Sequence, residues 1–324
     1  MSGRLVVVTG ADGFIGRALC RHFAAIERPF RAMVRKPVDH HVGGADYFAV
    51  GNLEDARNEV LDAALSGAFA VVHLAGRAHV LAERSPNPSA AYRTANVVAT
   101  AHIGAAAVRA GVNRFIFAST VKVNGESTAP GRPFRPDESI APADDYARTK
   151  ADAERTLLAL CEHTALVPAL LRLPLVYGPG VRGNFAALLD AVAACKRLPL
   201  AAISNRRSLL GIENLVEAIE ATLGSGQPVR GAHFVADDGS VSTPQLIEAI
   251  GRALNTPARL IAVPTLLLRV AGMVSGRGPQ VARLIDSLEV DDTSFRDATG
   301  WKPRRSLEDS LTATAAWWRT RHSI

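Results

Sequence analysis

Leu5-Val6-Val7-Val8-Thr9-Gly10-Ala11-Asp12-Gly13-Phe14-Ile15-Gly16 stands almost at the start of this 324-residue chain. Leu5–Val8 is apolar and mostly β-branched, without polar alternation, as in a strand covered on both faces. The pattern then changes to a helix through about Ala25. Gly10, Gly13 and Gly16 bracket the strand-to-helix turn. At such a turn the first glycine permits the tight bend. The second lets a pyrophosphate approach the backbone, and the third lets the helix pack closely. Phosphates then lie at a helix N-terminus, where free N–H groups and the macrodipole favour negative charge. Gly10, Gly13, Phe14 and Ile15 are therefore candidate cofactor-binding residues.

Outward from this turn, short apolar runs alternate with alanine-rich helical stretches. Strands are expected at Phe30–Val34, Tyr47–Val50, Ala70–Leu74, Arg114–Ala118 and Ala169–Leu173. Helices are expected over about 54–65, 90–110 and 146–163. Such alternation predicts an α/β fold, a Rossmann-type doubly wound parallel sheet with right-handed crossovers. After Tyr177 the sequence Gly178-Pro179-Gly180 breaks the pattern, and later segments are less regular. Residues 1–177 are read as the dinucleotide-binding domain and 178–324 as a smaller C-terminal substrate lobe, some of whose strands could return to the main sheet.

Composition narrows the function. With 48% hydrophobic and 21% charged residues the chain is globular, not disordered. The net charge of +6 suits an anionic small ligand, and without a basic cluster it does not argue for nucleic acid. Cys20, Cys161 and Cys195 are far apart and odd in number, which fits a reducing, cytoplasmic setting. Neither these nor His79 and His102 show metal-ligand spacing, so no metal is assigned. No apolar run reaches the length of a membrane span. The nearest, Leu260–Ser275, is broken by Pro264 and Arg269. Its expected role is lobe core or interface, with peripheral membrane docking as the rival.

Where an acidic residue would hold a ribose diol, the chain has Arg35 and Lys36. A guanidinium suits a 2′-phosphate, which favours NADP over NAD. Asn52 and Leu53, after the third strand, are placed to meet the adenine edge. Tyr146 and Lys150 lie four apart on a predicted helix and so share one face. An ammonium beside a phenol lowers its pKa, and a phenol so tuned can exchange protons with a carbinol/carbonyl pair. Ser119 and Thr120 end the fifth strand, at the edge where parallel sheets bind ligands.

Together, Thr9–Gly16, His73-Leu74-Ala75-Gly76, Asn96, Ser119-Thr120, Tyr146/Lys150, Leu171–Gly180 and Gly300-Trp301-Lys302-Pro303 resemble the extended short-chain dehydrogenase/reductase superfamily. Within it they resemble the NAD-dependent epimerase/dehydratase family acting on nucleotide sugars. The resemblance implies Thr120 as the hydroxyl partner, Tyr146 as acid/base and Lys150 as its tuner. It implies Leu74, Ala75, Gly76, Pro174 and Val176 along the cofactor. It places Arg77, Ser119, Lys122, Asn184 and Arg207 toward a UDP-sugar substrate. It also implies a homodimer built on the helices near 90–110 and 146–163.

Dehydratases of the family carry an Asp-Glu pair after the strand-five hydroxyl. Val121 and Lys122 stand here instead, which argues against dehydration. The stretch Ser119–Glu126 resembles a bacterial surface-polysaccharide subgroup. With Arg35/Lys36 it favours a C4 keto-reductase of UDP-4-keto-6-deoxy-N-acetylhexosamine, in O-antigen precursor synthesis. A UDP-sugar 4-epimerase is the alternative, and a non-catalytic dinucleotide-binding protein the lesser one.

Overall fold

Val6, Val7, Val8 and Thr9 are all buried, and the chain alternates its side chains between two cores. Val6 and Val8 pack with Leu19 and Phe23, while Val7 faces Leu61, Ile103 and Leu157 on the opposite side. This two-sided burial explains why the strand is apolar without a break. The computed structural model describes residues 3–38, 45–78 and 85–322.

The strands are β1 (Val6–Thr9), β2 (Phe30–Val34), β3 (Asp46–Ala49), β4 (Ala70–His73), β5 (Arg114–Thr120) and β6 (Val167–Leu173). A seventh strand, Gly231–Phe234, completes the sheet beside β6, and the order from there is β6-β5-β4-β1-β2-β3. Every pairing in it is parallel. The register places Thr9 beside His73 and Thr120 beside Leu173, so the candidate residues gather at the carboxyl edge. Helices α1 (Phe14–Ala25), α2 (Asn58–Leu65), α3 (Pro88–Arg93), α4 (Ala99–Arg109) and α5 (Asp145–Cys161) form the crossovers.

One feature departs from the expected pattern. The long helix expected over 90–110 is interrupted by a π-turn at Thr94–Val98, between α3 and α4. The return of later segments across residue 178, which the sequence left open, does take place. Helix Ile212–Gly224 packs its Leu215 and Ile219 into the core of the main sheet, and Gly231–Phe234 pairs with β6. The apolar face of that helix and the open edge of β6 satisfy one another, and chain order does not reveal this. The second lobe has its own core, formed by Phe185, Leu189, Ile247, Ile250, Leu311 and Trp318.

Candidate active site

The glycine turn is shaped by steric necessity. Gly10 has φ +65°, and a Cβ there would lie 2.7 Å from the Ala75 nitrogen. A Cβ on Gly16 would lie 2.1 Å from the Gly10 carbonyl oxygen, so the third glycine clears the turn itself. Gly13 caps α1 without any side-chain bond, and the first turn holds no acidic residue. The helix N–H groups are thus left for an anion.

This turn opens on a cleft of about 340 Å³ lined by Gly10, Gly13, Arg35, Asn52, Leu53, Leu74, Ala75, Gly76 and Arg77. A cradle that a Cβ would fill, beside a free helix N-terminus, fits the pyrophosphate of a dinucleotide. The side chains of Phe14 and Ile15 do not line the cleft. Ile15 packs on the sheet core, and Phe14 joins both cores at the seam of the lobes. There a Cβ on Gly180 would meet the Phe14 ring at 3.3 Å. Only their main chain remains available to a phosphate.

A proton chain runs beneath the cleft. The Ala75 N–H donates to Thr9 Oγ1 at 3.3 Å, and Thr9 Oγ1 lies 2.7 Å from His73 Nδ1. His73 Nε2 lies 3.1 Å from Thr100 Oγ1, which donates to the Asn96 carbonyl at 2.6 Å. With Thr100 donating onward, Nε2 carries a proton toward Thr100, and in the neutral ring Nδ1 accepts from Thr9. Burial favours that neutral form. Complete burial, with the Lys150 charge adding to it, pushes its pKa down to about 3.

Asn96, on the π-turn, closes the cleft floor. Its Oδ1 accepts from the Arg77 N–H at 2.7 Å, and its Nδ2 donates to the Arg77 carbonyl and to Thr149 Oγ1. A Cβ on Gly76 would lie 3.0 Å from Asn96 Oδ1 and 3.8 Å from Lys150 Nζ. The cofactor loop thus runs directly up to the Tyr–Lys helix.

Tyr146 is in the first turn of α5, whose N-cap Asp144 accepts from the Ala147 N–H at 2.8 Å. Its phenol is hydrogen-bonded to Thr120, at the end of β5, and its ring lies 6.3 Å from that of Tyr92. The expected lowering of the phenol pKa does not occur. Burial pushes it up to about 12, outweighing the Thr120 hydrogen bond, and the Asp144 charge pushes the same way. Lys150 is buried, with Nζ 4.1 Å from the centre of the Phe117 ring. Burial lowers its pKa to about 8, against the pull of Glu154.

Three of the expected substrate residues are committed to the protein. The Ser119 hydroxyl donates to Glu154, inside a buried network in which Arg172 Nη2 donates to Glu154 Oε2 at 2.7 Å. Arg172 Nη1 also donates to Asn124 Oδ1 at 3.0 Å. Ser119 thus anchors β5 while Thr120 turns to Tyr146, because successive strand residues face opposite sides. Lys122 Nζ is held by Glu126 at 2.7 Å and Asp144 at 2.8 Å, and so braces the start of α5. Arg207 Nη1 donates to the Asp286 carbonyl at 2.9 Å.

The charges of Glu126 and Arg283 bear on Arg207, which places it in the same charged group as Lys122. Asn184 is exposed in the first turn of helix Gly183–Ala193 and makes no hydrogen bond to this group among the described residues. Pro174 is buried between β6 and strand Leu175–Tyr177, and Val176 is partly buried in that strand.

Sequence reasoning missed His73, Glu154 and Arg283 as site residues and gave Asn96 no role. His73 and Asn96 stood within family-like stretches. Arg283 had no local signal. It comes from helix Gly278–Ile285, and its guanidinium lies 3.7 Å from Glu126 and 3.6 Å from Asp144. His79 lies outside the described residues.

The model of the NAD dependent epimerase/dehydratase family matches residues 6–235. The chain belongs to that family. It is an enzyme of the extended short-chain dehydrogenase/reductase type, with the parallel Rossmann sheet common to that group. A UDP-glucose 4-epimerase of Vibrio cholerae is 34% identical over 313 residues, covering 96% of this chain and 94% of that protein. A GDP-6-deoxy-D-mannose reductase of Pseudomonas aeruginosa is 26% identical over 334 residues, covering 99% of each. Among solved structures, MoeE5 in complex with UDP-glucuronic acid and NAD superposes with a TM-score of 0.78 at 25% identity, covering 98% of this chain and 99% of that one. The relatives it resembles thus include both an epimerase and a reductase of nucleotide sugars.

Proposed function

We propose that the chain is an NAD(P)H-dependent C4 keto-reductase of a UDP-4-keto-6-deoxy-N-acetylhexosamine, supplying precursors of a surface polysaccharide. The observation that carries this reading is the Tyr146 phenol, a proton donor at neutral pH, hydrogen-bonded to Thr120 at the carboxyl edge of the sheet with Lys150 one turn along α5. A group in that state is ready to give a proton, which is what reduction of a ketone requires. The nicotinamide, when bound, supplies the hydride. Thr120 and Tyr146 hold the C4 oxygen. As that carbon is reduced its oxygen gains negative charge and takes the Tyr146 proton, leaving an alcohol and a phenolate. The Lys150 ammonium, one turn along α5, stabilises that phenolate.

Gly10, Gly13, Ala75 and Gly76 would hold the pyrophosphate side of the cofactor, with Arg35 near the adenosine ribose. Arg35 in that position supports NADP(H). Arg283, with Arg207 beside it, is the cation suited to a nucleoside diphosphate. A cytoplasmic homodimer fits this reading. It is supported by the mutual packing of α4 and α5 and by the exposed Val98 and Leu158 beside them.

A second reading, UDP-sugar 4-epimerase, is favoured by the 34% relative. It uses the same three residues, with Tyr146 beginning as the base and returning the proton in the second hydride transfer. The two are separated by supplying UDP-4-keto-6-deoxy-N-acetylglucosamine with NADPH or NADH. A reductase oxidises the reduced nicotinamide one for one with substrate. An epimerase leaves its absorbance unchanged and interconverts UDP-glucose or UDP-N-acetylglucosamine with the galacto epimer. In either case Tyr146→Phe should lower turnover by roughly 10²–10⁴-fold while the cofactor still binds. Undiminished turnover would remove Tyr146 from the chemistry.

A further inference from the structure

The apolar stretch 260–275, expected in a core or an interface, leaves most of its apolar surface outside. Helix Thr265–Val274 turns Leu268 and Gly272 inward, and a Cβ on Gly272 would lie 2.8 Å from Val281. Its other side carries Leu266 and Met273, each 70% exposed, Leu267 at 58%, Val270 at 45% and Val274 at 85%. These positions share one face of a helix, and exposed Ile261 precedes them. Half of the twelve exposed large hydrophobics among the described residues thus fall in 261–274. Isolated exposed leucines are ordinary, but a contiguous patch of this kind marks a contact surface.

Charge selects the partner. Between Glu248 and Asp286 the chain contains no acidic residue, yet it contains Arg252, Arg259, Arg269, Arg277 and Arg283. Arg252, Arg269 and Arg283 pair with acids from other segments. Arg259 and Arg277 are exposed, form no ion pair among the described residues, and flank the helix in sequence. We propose that this face docks on an anionic phospholipid bilayer, its apolar side chains entering the headgroup–acyl boundary while Arg259 and Arg277 meet lipid phosphates.

The helix has ten residues, too few to cross a bilayer, so the attachment is peripheral. A second copy of the chain suits the face less well, since a two-fold contact would set its arginines against their own kind. The neighbouring helix, Gly278–Ile285, carries Arg283 into the candidate site, so the docked face is one helix from the substrate group. The inference does not depend on which C4 reaction the site performs.

The test is co-sedimentation of the full chain with vesicles of phosphatidylcholine, alone or with roughly one-third phosphatidylglycerol. Binding should require the anionic lipid and weaken in about 1 M salt, where charges are screened within ~3 Å. Leu267→Glu with Met273→Glu should reduce the bound fraction about tenfold. Arg259→Gln with Arg277→Gln should remove the preference for anionic lipid. Both variants should retain reduced-cofactor binding, which checks their folding. Failure to sediment with the anionic vesicles would overturn the proposal, as would equal binding by the glutamate variant. A lower sedimentation mass for that variant in the absence of lipid would assign the face to a second copy and overturn it as well.

Discussion

Asn96 Nδ2 donates to Thr149 Oγ1 at 3.0 Å, and through this bond the helix that carries Tyr146 and Lys150 is tied to the loop at Arg77. Thr149 lies between the two catalytic candidates in the chain and turns inward while they face the site. A buried amide thus helps set the cofactor floor and the acid/base helix relative to one another.

Replacing that amide should disturb both functions. Asn96→Ala leaves the Arg77 N–H and carbonyl without their partner and removes one bond to Thr149. Asn96 is buried but the Arg77 groups it bonds are only half-buried beside the cleft, so a stability loss of about 1–2 kcal/mol is expected in urea unfolding. Cofactor affinity should fall with it, measured by fluorescence titration. A variant of unchanged stability and affinity would show that the bond carries no such role.

The Glu154–Arg172 pair lies under β5 and also supports the charge on Lys150. Glu154→Gln should cost about 3–5 kcal/mol, the usual result of leaving one partner of a buried pair. It should also let the Lys150 pKa fall further below about 8. The pH at which cofactor binding weakens on the alkaline side would then move toward neutrality. An unshifted pH profile would separate Glu154 from Lys150.

His73 makes stability depend on pH in a definite direction. Its folded-state pKa is about 3, against 6.5 for the free side chain. Between these values the unfolded chain binds a proton that the folded chain refuses, so stability falls as pH is lowered from 6.5 toward 3. Chemical unfolding at stepped pH should show this slope, and His73→Asn should reduce it. The part that remains would come from His22 and His233, whose pKa values burial also lowers, and from carboxylates; an unreduced slope would remove His73 from the account.

Arg35 should control the choice between the two nicotinamide cofactors. A charge-assisted bond to a 2′-phosphate contributes about 1.5–3 kcal/mol. Arg35→Ser should therefore weaken NADPH about 10- to 100-fold and leave NADH almost unchanged. Equal losses for both cofactors would refute a role in discrimination.

Local rules made much of the cofactor half legible. Gly10 and Gly16 are demanded by backbone contacts within a few residues or with the adjacent strand end. The apolar run at β1 and the four-residue spacing of Tyr146 and Lys150 report strand burial and helical period, both properties of neighbouring residues. In the substrate half the structure adds partners that the chain order does not show. Ser119 and Lys122 looked like ligands because their position in the chain is right, yet their hydroxyl and ammonium are taken by Glu154, Glu126 and Asp144. Arg283 arrives from a distant helix with no motif around it.

The amino-acid order was enough to specify the strand–helix alternation, the glycine turn and the shared face of the acid/base pair, since each follows from dihedral preference and periodicity over a few residues. Folding in three dimensions decided the burial of Tyr146 and His73 that shifts their pKa values, the return of Gly231–Phe234 to the sheet, and the exposure of Leu266, Met273 and Val274. Those outcomes depend on which groups lose water and which charges become neighbours. Desolvation and pairing are set by segments far apart along the chain.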